Sequence, residues 1–164
     1  MGIKYDVISP DGMIEYKTNL PKLSLVKEVT DIPKVKIKCS RDSSEYAKKF
    51  YGTDIEMFES MFIILLNNAN NTIGYVKISQ GGITGTIVDI RIICKYAIES
   101  LAVSIIMVHN HPSGTLRPSE ADKQITEKVK KALQTLDIRL LDHIIIIPED
   151  YGTQYFSFAD DGII

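Results

Sequence analysis

The segment from residue 103 to residue 136 restricts the possible folds more than any other part of the sequence. VSIIMV (103–108) is an apolar run, typical of a strand covered on both of its faces. A turn follows, and Pro118 disfavours helical backbone at Arg117, so a helix is expected to start at Ser119. Apolar residues then recur at helical spacing and predict its buried stripe: Ile125, Val129, Leu133 and Leu136. A buried strand followed by a packed helix favours a layered α/β domain.

Further apolar runs supply the other strands of the sheet. FIILL (62–66) predicts a buried strand, residues 67–71 a turn, and TIGYVKIS (72–79) its hairpin partner. IRLLDHIIII (138–147) predicts another central strand, and QYFSF (154–158) a last one. Because strands that pair as a hairpin alternate with strands joined through helices, the expected fold is α/β with a mixed sheet.

Two more helices are expected before residue 103. Asp89 is predicted to cap a helix over about 90–101, with one apolar face made by Ile93, Cys94, Ala97 and Leu101. Candidate N-caps for a helix over roughly 44–51 are Asp42, Ser43 and Ser44.

The first fifty residues have a different pattern from the rest. Residues 3–18 predict a strand pair around a Pro-Asp-Gly turn, and residues 21–39 an irregular extended segment. Lysines alternate with apolar residues in KVKIK (34–38), which indicates the solvated face of an edge strand. We therefore expect residues 1–50 to form an extended and helical extension packed on the core, and residues 51–164 to form the core domain.

Composition and charge exclude several classes of protein. The formal net charge is −2 and no stretch concentrates Lys and Arg, so strong nucleic-acid binding is not expected. No apolar run approaches the roughly 20 residues of a membrane span. The N-terminus lacks a signal-peptide core, and the two cysteines form no CxxC pattern, so we expect a cytoplasmic protein without a structural disulfide. GGITGT (81–86) lacks the spacing of a nucleotide-binding loop.

The stretch HNHPSGTLRPSEAD (109–122) carries the candidate chemistry. His109 and His111 are two positions apart at the end of a strand, so both imidazoles are expected on one side and Asn110 on the other. Pro112, Ser113 and Gly114 predict a turn that folds the chain back on itself.

The helix start completes a possible ligand set. Ser119 and Asp122 have the spacing of a capping box, and Asp122 shares the inward stripe of the helix. Each residue alone is typical of an ordinary helix start. Two imidazoles and a carboxylate together form a known catalytic zinc set with the fourth position open. We therefore predict a metal site.

HNHPSGTLRPSEAD resembles the JAMM signature of JAB/MPN metalloproteins, which is HxH, seven residues, Ser, two residues and Asp. The surrounding segments resemble the RadC-like branch of that superfamily from about residue 55 to the C-terminus, notably FIILLNNANNTIGYVKIS, GGITGT, LLDHIIII and YFSFADDG. The resemblance implies a three-layer α/β/α core of the cytidine-deaminase-like JAB/MPN type.

The resemblance also assigns roles. One zinc ion per chain is expected on His109, His111 and Asp122. Glu59, just before the first core strand, corresponds to the catalytic base, with Glu56 as the alternative. Ser119 would help hold the water or the oxyanion. The implied reaction is hydrolysis of a peptide or isopeptide amide.

Other residues have two interpretations each. His143 is typical of a buried, hydrogen-bonded core histidine, but His143 or Asp142 could instead brace a zinc ligand. Thr84 and Thr86 either line the cleft or only form a tight turn.

Two functional hypotheses follow from the resemblance. The first is a JAMM-type hydrolase with a peptide or protein substrate, and the second a non-enzymatic DNA repair or recombination accessory module with a structural zinc. Residues 1–50 do not resemble the helix-hairpin-helix region of longer RadC proteins, and insertions that hold ubiquitin in eukaryotic JAMM enzymes are not expected. A homodimer is compatible with either hypothesis.

Overall fold

The computed structural model describes residues 32–81 and 87–164. Three helices lie in these ranges: α1 (Ser40–Ala47), α2 (Ile90–Glu99) and α3 (Glu120–Gln134). Five strands accompany them: β1 (Ser60–Leu66), β2 (Thr72–Gln80), β3 (Ser104–Asn110), β4 (Arg139–Ile146) and β5 (Tyr155–Ser157). Two short 3₁₀ turns, Thr53–Glu56 and Glu149–Tyr151, precede β1 and β5.

The five strands form one sheet in the order β2-β1-β3-β4-β5. β1 pairs antiparallel with both β2 and β3, β3 and β4 are parallel, and β5 returns antiparallel to β4. The predicted mixed sheet and the β1–β2 hairpin are therefore confirmed. The parallel pair is joined through α3, as a parallel connection requires a crossover.

Alternate residues of the central strands point to opposite faces of the sheet and pack into two separate hydrophobic clusters. On one face, Met61, Ile63 and Met107 pack with Ile93 of α2 and Val129 of α3, together with further apolar residues. On the other face, a second cluster forms around α1, with these buried members: Ile37, Tyr46, Ala47, Ile64, Leu66, Ile106, Val108, Ile144 and Ile146. Helices cover both faces of the sheet, so the predicted three-layer α/β/α fold is confirmed.

The first helix starts and ends about four residues earlier than the sequence suggested. α1 begins at Ser40 after Cys39, which provides no side-chain cap, and the predicted capping roles of Asp42, Ser43 and Ser44 are wrong. Ser43 and Ser44 are buried within the helix. Asp42 instead reaches back, and its Oδ2 accepts a hydrogen bond from Lys38 N at 2.7 Å. A carboxylate in the first turn thereby satisfies an N–H of the incoming chain.

The ends of α2 and α3 also differ from the predicted buried stripes. Leu101 was expected in the apolar face of α2, but it follows the helix in the left-handed region (φ 54°) and is 83% exposed. Leu136 is 40% exposed because α3 ends at Gln134, while Thr126 is buried in that helix. In both helices the apolar spacing in the sequence continues beyond the last helical residue, although the backbone has already turned toward the next strand.

Little of the predicted N-terminal pattern lies within the described residues. The predicted strand pair at 3–18 and the start of the extended segment, residues 21–31, lie outside them. The lysines of KVKIK are exposed as expected, but the predicted edge strand is reduced to a single bridge between Lys36 and Asn71. The domain boundary at residue 50 stays a prediction. Among the described helices, none is long and apolar enough to cross a membrane.

Candidate metal centre

The two histidines leave β3 on the face covered by α3. His109 is fully buried near the end of β3, and it points to the same face of the sheet as Met107, which packs under α2 and α3. His111 follows β3, and its backbone N–H donates to Ile146 O at 2.9 Å, which extends the parallel pairing with β4. The Nε2 atoms of the two imidazoles are 2.9 Å apart.

The turn after β3 fixes the orientation of the His111 ring. Nδ1 of His111 lies 2.6 Å from the carbonyl oxygen of Thr115, which can only accept a hydrogen bond. Gly114 makes the turn possible at φ +75°, and a Cβ there would lie 2.6 Å from the ring of Tyr151. With its ring proton on Nδ1, His111 presents an Nε2 lone pair toward His109.

The predicted capping box at the start of α3 is confirmed and holds the carboxylate. Ser119 Oγ accepts from the backbone N–H of Asp122 at 3.1 Å. In return, Asp122 Oδ2 accepts from Ser119 N at 2.7 Å and from Ser119 Oγ at 2.6 Å. The other oxygen, Oδ1, faces His109 Nε2 at 3.3 Å. The cap therefore occupies one carboxylate oxygen and leaves the second one available to a metal.

The structure brings the three predicted ligands together. One ligand atom from each of His109, His111 and Asp122 lies within 4.8 Å of the others. All three side chains are mostly buried, and they supply two imidazoles and one carboxylate. This donor set suits a zinc ion with three protein ligands. The residues could hold a metal.

The electrostatics of the cluster favour a positive charge between these groups. Burial raises the pKa of Asp122, but its close contacts with the imidazoles of His109 and His111 outweigh burial, so the pKa lies well below its usual value. Burial lowers the pKa of His111, and the Asp122 and Thr115 oxygens then raise it above its usual value. A proton can supply the positive charge in part, and a divalent cation supplies it more fully.

His143 lies directly behind His109. Its Nε2 is 2.8 Å from His109 Nδ1, and its Nδ1 is 2.6 Å from Thr126 Oγ1 on α3. The sequence offered two interpretations of His143, a hydrogen-bonded core histidine and a brace for a metal ligand. Both describe its position, since this buried histidine is hydrogen-bonded and contacts a candidate ligand. Thr126 was not singled out from the sequence, and only its position four residues after Asp122 on the helix could have suggested it.

Asp142 points to the opposite face of the sheet. Its Oδ2 accepts from Ser157 Oγ at 2.7 Å, and its Oδ1 accepts from the backbone N–H groups of Ala159 and His143. Burial raises the pKa of this carboxyl group. Neighbouring residues of a strand face opposite sides, so Asp142 has no place beside the candidate ligands.

Glu59 immediately precedes β1, opposite the candidate metal centre. Met61 pairs with His109, so continuation of the antiparallel register places Glu59 opposite His111. The two residues are close enough for the charge of Glu59 to raise the pKa of His111. Glu56, the alternative base, lies in the 3₁₀ turn and is exposed. The geometry thus brings Glu59, rather than Glu56, into electrostatic contact with a candidate ligand.

Asn110, which the sequence placed on the far side of the strand, anchors the segment that carries Glu59. The fully buried Asn110 donates through Nδ2 to Ile55 O at 2.7 Å and to Phe58 O at 2.9 Å. Its Oδ1 accepts from the backbone N–H of Ser60 at 2.8 Å. These three hydrogen bonds bracket Glu59 on both sides. Sequence reasoning missed this role because the contacts span about fifty residues.

Two other predicted site residues have different outcomes. Ser119 lies beside the cluster as the N-cap, with its hydroxyl bonded to Asp122. Thr84 lies outside the described residues, as does Thr86.

Comparisons with known proteins agree on one family. The family model described as "RadC-like JAB domain" matches residues 37–163. A UPF0758 protein of Flavobacterium johnsoniae is 50% identical over 105 residues, which cover 64% of this chain and 44% of that protein. A UPF0758 protein of Chlorobaculum tepidum is 40% identical over 130 residues, covering 79% of this chain and 56% of that protein.

A third relative is shorter. The UPF0758 protein YfjY of Escherichia coli K12 is 40% identical over 106 residues, covering 65% of this chain and 64% of that protein. The chain spans about half the length of the curated relatives it matches. The resemblance to the RadC-like branch noted in the sequence is confirmed.

Proposed function

This chain belongs to the RadC-like JAB domain family, and from that premise we propose that it is a zinc-dependent metallohydrolase of JAMM type. The proposed reaction is hydrolysis of a peptide or isopeptide amide by an activated water. One observation carries the proposal most directly: the Nε2 atom of His109 lies 2.9 Å from His111 Nε2 and 3.3 Å from Asp122 Oδ1, so three potential ligand atoms lie close together. Such a cluster of potential ligand atoms is stabilised by a cation.

The candidate ligands leave room for chemistry. Three protein ligands with nitrogen and oxygen donors are typical of catalytic zinc sites, whereas structural sites usually have four protein ligands. A zinc ion bound there would lower the pKa of its water toward about 7 and so supply hydroxide at neutral pH.

Glu59 is proposed as the general base. It is half-buried, precedes β1 directly and lies opposite His111. In this role it accepts a proton from the attacking water and returns the proton to the leaving amine. Asn110 keeps the backbone on both sides of Glu59 in place during these transfers.

Ser119 has two proposed contributions, and they compete for the same proton. In the structure its hydroxyl donates to Asp122 Oδ2, which directs Oδ1 toward the histidines. To stabilise an oxyanion, the hydroxyl must turn away from Oδ2, and the backbone N–H of Ser119 then continues to hold that oxygen. The capping box therefore survives when the hydroxyl reorients.

The substrate is proposed to be a peptide or protein. A groove borders the start of α3 and is lined by residues on both sides of Ser119 and by the C-terminal segment. The apolar surface of the groove comes from Leu116, Pro118 and Phe156. Arg117 and Lys123 also line it and can make polar contacts. An open groove with this mixed lining suits an extended peptide segment.

Glu59→Gln is the decisive variant, with Glu56→Gln as its matched control. Zinc content per chain is measured by elemental analysis, and turnover by mass spectrometry on a pool of peptides and isopeptide-linked lysine peptides. We expect about one zinc per chain in all three proteins. Glu59→Gln should reduce turnover by about 10²- to 10⁴-fold, and Glu56→Gln should leave it unchanged. Wild-type turnover by Glu59→Gln would contradict the assignment of the base.

The accessory-module hypothesis makes the opposite prediction. It expects salt-dependent affinity for branched or single-stranded DNA that does not change in Glu59→Gln, and zinc that serves only the fold. DNA binding of this kind, together with no turnover on any peptide in the pool, would replace the hydrolase proposal.

A further inference from the structure

A chain of hydrogen bonds leads from one candidate ligand back to another through buried side chains. It starts at His109 Nδ1, passes through both ring nitrogens of His143 and reaches Thr126 Oγ1. Thr126 Oγ1 then lies 2.5 Å from the backbone carbonyl oxygen of Asp122. His109, His143 and Thr126 are each at most 3% exposed, so water does not compete for these bonds.

The direction of every bond in this chain follows from its last member. A backbone carbonyl can only accept, so the single hydroxyl proton of Thr126 is used on Asp122 O. Thr126 Oγ1 must then accept from His143, which places the ring proton of His143 on Nδ1. The ring of His143 is completely buried, an environment that favours the neutral imidazole, so with its proton on Nδ1 its Nε2 is an acceptor.

The tautomer of His109 follows from that of His143. Because His143 Nε2 accepts, His109 must donate from Nδ1. With Nδ1 of His109 used as a donor, Nε2 is the ring atom left for a metal, and it lies 3.3 Å from Asp122 Oδ1. A metal ligand of this kind needs its second ring nitrogen to be held as a donor.

We propose that Thr126 and His143 are positioning residues that set the tautomer and ring orientation of His109, so that its Nε2 lone pair points into the cluster of candidate ligands. This inference rests on the proposed function for its metal. The ring of His143 is itself held in place by stacking on the buried Phe158, with centroids 4.6 Å apart and an interplanar angle of 22°. These hydrogen bonds also connect β3, β4 and α3, which carry His109, His143 and Asp122 respectively.

Thr126→Val tests the proposal, because valine keeps the shape of threonine but removes its hydroxyl. Zinc affinity of the full chain is measured by competition with a chromogenic chelator. We expect Thr126→Val to bind Zn²⁺ about 10- to 100-fold more weakly than wild type. Thr126→Ser restores the hydroxyl and should return the affinity to within about threefold of wild type.

Thr72→Val is the matched control. Thr72 is also buried, and its hydroxyl accepts from the backbone N–H of Val35 at 3.0 Å, but it lies at the start of β2. The Thr72→Val protein should be less stable than wild type but should bind zinc with the same affinity. Equal zinc affinity in Thr126→Val and wild type would overturn the proposal, as would equal losses in Thr126→Val and Thr72→Val.

Nitrogen-15 NMR of the histidine side chains provides a readout that does not depend on metal or activity. In the zinc-free wild-type protein, we expect the ring protons of His143 and His109 on Nδ1, and Thr126→Val should mix the tautomers of His143. A ring proton on Nε2 of His143 would overturn the inference. A wild-type chain that binds no zinc defeats the proposed function instead, and the tautomer of His143 then still decides the inference.

Discussion

The candidate ligands and the candidate base are held in place in different ways. His109, His111 and Asp122 lie within fourteen consecutive residues, where a turn and a capping box orient His111 and Asp122 through local contacts, while His143 supports the ring of His109. Glu59 lies fifty residues earlier, and its position depends on pairing with β3 and on the buried amide of Asn110. Metal binding and proton transfer should therefore fail independently when each kind of support is removed.

Removal of a ligand should have the largest effect. Asp122→Ala deletes the carboxylate together with its half of the capping box, so zinc binding should weaken by more than about 100-fold. Asp122→Asn keeps an oxygen for the cap but has no charge, so its zinc affinity should lie between those of Asp122→Ala and wild type. Chelator competition measures both affinities. Zinc binding by Asp122→Ala at wild-type strength would show that the metal lies elsewhere.

Asn110→Ala should separate the two regions. The substitution leaves the N–H of Ser60 and the carbonyl groups of Ile55 and Phe58 without their buried partner. The free energy of unfolding should therefore fall by about 1–3 kcal/mol. Since Glu59 loses its anchor, kcat should fall by about tenfold or more while zinc affinity stays within about threefold of wild type. Denaturant unfolding, zinc titration and turnover measure the three quantities. A loss of zinc affinity as large as the loss of kcat would contradict local support of the ligands.

Gly114→Ala should weaken the ligand side alone. An alanine at φ +75° is strained, and its Cβ meets the ring of Tyr151, so the turn that holds His111 must shift. We expect zinc affinity to fall by about tenfold. In the double variant with Tyr151→Ala, part of the loss should be recovered because the clash is removed and only the backbone strain remains. Purely additive losses would show that Tyr151 does not restrict this turn.

The smallest expected effect connects the two regions through charge. Zinc binding requires a neutral His111, and its pKa in the metal-free protein lies above the usual value, so zinc affinity should rise with pH until His111 has lost its proton. Glu59 contributes to that raised pKa. Glu59→Gln should therefore move the pH midpoint of zinc binding slightly downward, whereas Glu56→Gln should not. Chelator competition over a pH series measures the midpoint.

Local patterns predicted the ligand side of the site well and the rest of the site poorly. The spacing in HNHPSGTLRPSEAD predicted one side of a strand for both histidines and a cap for Asp122, because each relation spans at most a few residues. The same spacing predicted that Asn110 faces away, but it could not show what Asn110 binds. Asp142 and His143 were equivalent candidates in sequence, and the side of the sheet that each faces distinguishes them.

By itself the sequence determined the α/β layers, the mixed sheet, the family and the three candidate ligands, since these depend on periodicity and on residues close together in the chain. Only the tertiary structure decided that Asn110 anchors the Glu59 segment, that Thr126 orients His143, and where the helices end. Those features depend on strand register and on side chains that meet across the core, and neither is encoded in the spacing of any one segment.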